Sequence, residues 1–319
     1  MVKRADSTWR IDSRRILCAA LCAFLFATLS SCSGGGSASG TTATATATSD
    51  QVAAWGDSTT SGIGASNSAL SYPAQLQSLA GRKTYNGGVS GQTSDQIAAR
   101  QGGAPALLTF KDNALPPAGS VVLGSQSTFP VTAESPSPIT GTISGFHGTL
   151  SYQTDSGNNP LLVFTRDDPG GLETIPANSP FYPDTFGRES KINVFWMGQN
   201  NFYDPQGVKS NIAQCIAFLS NRKFIVMSLL NAGNEGIGTS SYAQLAQINA
   251  DLARAYPDNF LDIRGILINN YDPTNPKDVQ DHNNDVPPGS LRNDNEHLND
   301  KGYGIVAQKI ADFLAAKSW

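Results

Sequence analysis

Cysteine is scarce, and its placement excludes a disulfide framework. Of four cysteines in 319 residues, Cys18, Cys22 and Cys32 fall within the first 32 positions and only Cys215 lies in the body of the chain. A body with one cysteine cannot bridge internally, so a packed core must hold it together. Cys215 sits in the apolar stretch 211–219 and reads as a small buried hydrophobe rather than a reactive group. Histidine is scarcer still: His147, His282 and His297 are the only three, which shortens the list of candidate proton carriers. Basic charge is thin as well, with 22 Lys and Arg against 26 Asp and Glu. Residues 1–31 hold five basic and two acidic positions, leaving 17 against 24 in the remainder, a net of −7. An acidic body with no basic cluster argues against nucleic acid as a partner, because that binding rests on neutralising phosphates. No apolar run is long enough to span a bilayer as a helix; the best, residues 16–29, is too short.

That run has a different reading. It follows a basic stretch ending in Arg14-Arg15, which is the layout of a signal peptide, expected here over residues 1–31. The tetrapeptide Leu29-Ser30-Ser31-Cys32 resembles the lipobox of bacterial lipoproteins, which implies that Cys32 carries lipid and anchors an exported protein at the cell envelope. Residues 32–50 are then a tether. From position 33 they consist of Gly, Ser, Thr and Ala up to a final Asp50, with nothing able to bury surface.

From Gln51 onward short apolar runs alternate with helical patterns, the signature of a parallel sheet covered by helices. Strands are expected at 52–55, 83–89, 192–197, 224–230 and 260–263, and helices at 72–80, 94–100, 208–221, 242–255 and 300–316. The last has Asn299 as its cap and Ile305, Ile310, Phe313 and Leu314 at helical spacing. Residues 103–190 break the alternation. They are rich in Thr, Ser, Pro and Gly, with short segments at 120–123, 128–132, 139–144 and 161–165, and read as an inserted β-rich module. Long loops packed on the main domain are the other reading.

Chemistry enters at Trp55-Gly56-Asp57-Ser58-Thr59, where the first strand ends and a helix begins. Open parallel sheets bind ligands at that end of their strands, and a helix N-terminus favours developing negative charge. Gly-Asp-Ser alone is weak, since turns favour these residues for conformational reasons. Support comes from Asp294-Asn295-Glu296-His297, where a carboxylate three residues before a histidine can fix its tautomer. Residues 269–295 also hold Asp272, Asp278, Asp281, Asp285 and Asp294 in what reads as a solvated polar loop; the spacing does not match a calcium loop, and no metal is assigned.

Four blocks in order resemble the SGNH hydrolases, also called GDSL esterases: Gly56-Asp57-Ser58, the segment Asn86 to Thr93, Gly198-Gln199-Asn200-Asn201, and Asp294 to His297. The resemblance covers residues 51–102 and 191–319 and leaves 103–190 outside. It implies a three-layer α/β/α sandwich with a five-stranded parallel, flavodoxin-like sheet. It also implies Ser58 as nucleophile, His297 as base and then acid, and Asp294 as the group orienting His297. The Ser58 and Gly91 amides and the Asn200 side chain would form the oxyanion hole, and no cofactor is implied. One departure stands out: the family's third block ends in aspartate, and here Asn201 replaces it. A cell-envelope setting points to acyl, chiefly acetyl, esters on carbohydrate as substrate, with the inserted module governing substrate choice. Lipase or thioesterase activity on acyl chains, acyl transfer, and a non-catalytic glycan-binding role are the alternatives.

Overall fold

The computed structural model describes residues 51–132 and 136–319. The expected signal peptide, the tether and Cys32 lie outside the described residues. The chain enters as β1 (Val52–Gly56), makes a single turn α1 (Ser58–Ser61), then runs through α2 (Tyr72–Ala80), β2 (Thr84–Gly88) and α3 (Ser94–Gln101). It next forms β3 (Ala106–Phe110), β4 (Ala114–Leu115), β5 (Ser120–Gln126), β6 (Ile139–Ile143), β7 (Phe146–Thr154), β8 (Pro160–Arg166), β9 (Glu173–Thr174) and β10 (Ser179–Pro183). It returns through β11 (Ile192–Trp196), α4 (Pro205–Phe218), β12 (Phe224–Met227), α5 (Ser240–Ala255) and β13 (Phe260–Leu261), and closes with α6 (Ile263–Ile268), α7 (Pro276–Asn283) and α8 (Asp300–Ala316).

Five of these strands make one parallel sheet in the order β13-β12-β11-β1-β2. The chain winds outward in both directions from β1, the doubly wound, flavodoxin-like order whose ligands sit beyond the carboxyl ends of the central strands. Central strands buried on both faces should read as continuous apolar runs. Accordingly β1 and β11 are buried at every position. Alternate side chains serve opposite layers. Val52 and Ala54 join Tyr72 and Leu76 of α2, Leu267 of α6 and Tyr303, Val306 and Ile310 of α8. Ala53 and Trp55 join Ile97 of α3, Ile212 and Cys215 of α4, and Leu245 and Ile248 of α5. Cys215 is therefore a core residue, and burial pushes its thiol well above its ordinary range.

The excursion between α3 and β11 closes on itself. Its six longer strands form an antiparallel barrel in the order β10-β3-β5-β8-β7-β6, which leaves no sheet edge open. Phe164 lies in the barrel core beside Phe110 (ring centroids 5.5 Å apart) and Phe181 (6.4 Å).

Three expectations are corrected here. Residues 128–132 form no strand, because the carbonyls of Phe129 and Pro130 are taken by the side chains of Gln96 and Gln92 and proline has no N–H for a ladder. The polar loop expected over 269–295 contains α7, and Ile263 opens α6 instead of ending a strand. The buried face of α7 is built from carboxylates: Asp281 accepts from Arg292 and the Gly289 amide, and Asp278 accepts from Ser290 and the Asp272 amide. A helix that buries aspartates shows no apolar period to read.

Phe164 is fully buried between two rings. Phe164→Ala should therefore cost about 3–5 kcal/mol in chemical denaturation, as large-to-small changes in cores do.

Candidate active site

Three adjacent strand ends and one helix start carry the four blocks. β1 ends at Gly56, and Asp57 caps α1 by accepting the Thr59 amide at 3.0 Å, so Ser58 is the first helical residue and is half-buried. The turn is tight. A Cβ on Gly56 would lie 2.1 Å from Thr60 Oγ1, and one on Gly88, the last residue of β2, would lie 2.0 Å from the Ser61 nitrogen. Only glycine lets the helix rest directly on these two strand ends. Asp57 is buried and its Oδ2 makes no hydrogen bond. Burial pushes its carboxyl up to about 6, against the pull of the Thr59 amide and of nearby His297.

The fourth block is held by its own carboxylate. Asp294 Oδ1 accepts the amides of Glu296 (2.7 Å) and His297 (2.6 Å), while Oδ2 lies 2.8 Å from His297 Nδ1. Burial works against the charge, yet these donors prevail and keep the Asp294 carboxyl below its usual range. With Nδ1 so engaged, Nε2 is the ring nitrogen left to exchange a proton. α8 is capped by Asn299, whose side chain accepts the Gly302 amide at 3.1 Å.

Several ties bring this block to the nucleophile block. Tyr303 of α8 donates to Ile63 O at 2.6 Å, and Ser66 donates its amide and hydroxyl to Asp300 at 2.8 and 2.7 Å. Between them Gly64, at φ 92°, runs so close under the histidine that a Cβ there would sit 3.1 Å from His297 Cβ.

The second and third blocks meet in the same way. Gly91 adopts φ 74°, a left-handed turn that glycine permits. Asn200 Nδ2 donates to Gln92 O at 2.9 Å, which commits one of its two hydrogens and leaves the other for a further acceptor. Asn201 accepts the Ser94 amide at 2.9 Å and donates to Ser94 Oγ at 3.0 Å. The replacement for aspartate therefore ties the third block to α3 as both acceptor and donor, a pairing a carboxylate could not make.

A residue that sequence reasoning passed over completes the arrangement. Arg100, 4% exposed, donates Nε to Gln92 Oε1 at 2.6 Å and Nη2 to Gly87 O at 3.0 Å and Gly56 O at 3.4 Å. Nothing in a short helix such as α3 announces that its arginine faces inward. A cavity of about 560 Å³ opens beside the second block and is lined by Gly88, Gln92 and Arg100 on one side and by Pro130, Thr140 and Asp184 on the other. The remaining histidines stand elsewhere. His147 lies on the barrel between Asp167 (2.5 Å) and Asp184 (3.0 Å), and these carboxylates raise its pKa; His282 stacks on Tyr271 with centroids 4.1 Å apart.

No family model matches the chain. A curated relative, the tail spike protein of Salmonella phage epsilon15, is 27% identical over 274 residues, covering 77% of this chain and 25% of that protein. The chain thus spans about a quarter of the length of the relative it matches. Among solved structures, one described as a G-D-S-L family lipolytic protein from Desulfitobacterium hafniense aligns with a TM-score of 0.44 at 15% identity, covering 82% of this chain and 98% of that one. The esterase AlinE4, of the SGNH-hydrolase family, aligns with a TM-score of 0.34 at 18% identity, covering 68% and 77%. At these scores the likeness carries no argument about chemistry. In its sheet order, and in four blocks gathered at one edge of that sheet, the chain resembles the SGNH hydrolases.

Proposed function

We propose that the protein is a serine esterase of the SGNH type. The observation that carries this reading is the Asp294–His297 pair, oriented through Nδ1 and tied to the loop that follows Ser58. Ser58 Oγ attacks the ester carbonyl while His297 Nε2 takes its proton and then returns it to the leaving alcohol. Water deacylates Ser58 by the same route in reverse. Asp294 keeps the tautomer and stabilises the imidazolium. The Ser58 and Gly91 amides with the Asn200 side chain receive the oxyanion. Such donors are worth about 3–4 kcal/mol each, because they are fixed before charge develops.

The favoured substrate is an acetyl ester on carbohydrate. The blocks around Ser58 are rich in Ser, Thr, Gly and Asn, and the cavity beside them mixes polar groups with proline rings, which suits a sugar ring better than a long acyl chain. Acyl transfer to a second sugar would use the same residues. For location we propose an exported lipoprotein anchored through Cys32, on the strength of the Leu29-Ser30-Ser31-Cys32 segment and its apolar and basic flanks. Among the described residues no helix is long and apolar enough to cross a membrane.

Ser58→Ala and His297→Ala should each lower kcat on 4-nitrophenyl acetate by about 10³-fold or more with unchanged melting temperature, since the two act as one unit. Asp294→Asn keeps the shape and loses the charge, and should cost less. Wild-type turnover in either alanine variant would remove the triad. Cys32→Ala should shift the protein from the membrane fraction to the soluble fraction or stall its maturation. Unaltered fractionation and processing would remove the anchor.

A further inference from the structure

The barrel meets the rest of the chain across α3, and several of the contacts there are hydrogen bonds. Gln96 Nε2 donates to Phe129 O at 2.6 Å, Thr128 Oγ1 to Asp95 Oδ2 at 2.5 Å, and Thr185 Oγ1 to Arg100 O at 3.1 Å. A fourth contact differs in what lies behind it. Gln92 has a fully buried side chain that donates Nε2 to Pro130 O at 2.8 Å and accepts Arg100 Nε on Oε1 at 2.6 Å. Its amide orientation follows from its neighbours, because a guanidinium can only donate and a proline carbonyl can only accept. The backbone carbonyl of this same residue accepts Asn200 Nδ2 at 2.9 Å. Gln92 is thus gripped at its side chain by the barrel loop and by α3, while its carbonyl aims the Asn200 amide.

Arg100 is the fixed point of the set. It makes no ion pair among the described residues and lies 5.9 Å from the Trp55 ring centroid. Its guanidinium joins Gly56 O, just ahead of the nucleophile turn, to Gly87 O at the end of β2 and to Gln92. Burial lowers its pKa to about 10, so it is charged at neutral pH and its bonds to neutral oxygens are charge-assisted.

We propose that Gln92 and Arg100 are positioning residues for the oxyanion hole, through which docking of the barrel sets the direction of the Asn200 amide. The proposal rests on the esterase reading above. Oxyanion donors act by geometry, so a carbonyl that drifts lets the amide it holds drift with it. The barrel supplies no reacting group, and it reaches the oxyanion hole through the Gln92 contact. Removing it would free Pro130 O from Gln92 and unseat the block that carries Gly91.

The test uses the full chain and 4-nitrophenyl acetate, with inhibition by phenylboronic acid, which forms a tetrahedral adduct on a nucleophilic serine, as a second readout. Gln92→Leu and Arg100→Lys should each lower kcat about 10- to 100-fold with KM within about twofold, the scale expected when a catalytic group is displaced by a fraction of an ångström to an ångström. Boronate inhibition should weaken by the same factor. Thr128→Val breaks one barrel contact without touching Gln92 and should leave kcat and inhibition as in the wild type. Should Gln92→Leu fail to fold, Gln92→Glu keeps the Arg100 partner, loses the donor to Pro130 O, and should show the same kcat loss. Full kcat in folded Gln92 and Arg100 variants overturns the proposal. So does a loss in Thr128→Val equal to that in Gln92→Leu, which would mark general docking as the cause. Wild-type turnover in Ser58→Ala would instead remove Ser58 as nucleophile and overturn with it the oxyanion hole that the proposal serves, and that result is told apart because it arises in a variant that leaves Gln92 and Arg100 intact.

Discussion

Close approach at the glycine ends of two strands is the constraint from which the candidate site follows. α1 lies against the carboxyl ends of β1 and β2, with its Thr60 side chain pressed on Gly56 and its backbone at Thr60 and Ser61 pressed on Gly88, because neither glycine has a side chain of its own. A strand that ends in glycine and passes within two residues into a helix puts a serine at the helix N-terminus, with amide hydrogens around it. The same economy recurs at Gly64, which brings the loop after α1 beneath His297. Three glycines, at positions 56, 64 and 88, thus determine how closely the turn at Ser58 and the block at His297 can approach the cleft at the end of the sheet.

The two carboxylates near that cleft are treated in opposite ways. Asp294 receives two amides and an imidazole, so its charge is well satisfied. Asp57 receives one amide and leaves one oxygen without a partner in a buried setting. Burying a charge so poorly paired is costly, and the protein retains it next to Ser58. Nearby His297 favours the ionised form of this carboxyl, although burial outweighs it. The strain belongs to the same turn that the glycines make possible.

Much of this was legible in the sequence, for reasons that particular residues make plain. β1 and β11 read as strands because every position is buried and nearly all are apolar. α8 reads at its bounds because Asn299 stands at the cap position ahead of regular apolar spacing. The candidate site was legible because serine, asparagine and histidine stand in short blocks whose neighbours are glycine or carboxylate. What failed shares one cause. α7 buries Asp278 and Asp281, Phe129 and Pro130 give their carbonyls to glutamines, and Arg100 turns a charge inward. Each is a polar group satisfied by a partner distant in sequence, and hydrophobic period carries no record of such partners.

The inserted barrel shows how those distant polar partners shape the molecule. A six-stranded barrel has its own aromatic core and no open edge, so it can be spliced between α3 and β11 without demanding that the parallel sheet rearrange. Its attachment is another matter. The helix it packs on, α3, is buried from Gln96 through Gln101, including an arginine and two glutamines that would ordinarily face water. Gln96 is satisfied by Phe129 O in a barrel loop, Arg100 by Gln92 and the strand-end carbonyls of Gly56 and Gly87, and Gln101 by Cys215 O of α4 and the Gly103 amide, so the barrel replaces solvent along part of α3. Once that exchange is made, the loop holding Asn200 is no longer independent of the insertion, because Gln92 belongs to both networks. A module joined through apolar surface alone could slide by a fraction of an ångström at little cost. One joined through a glutamine with both ends committed cannot, and directional contact of that kind is what an oxyanion donor requires of its support.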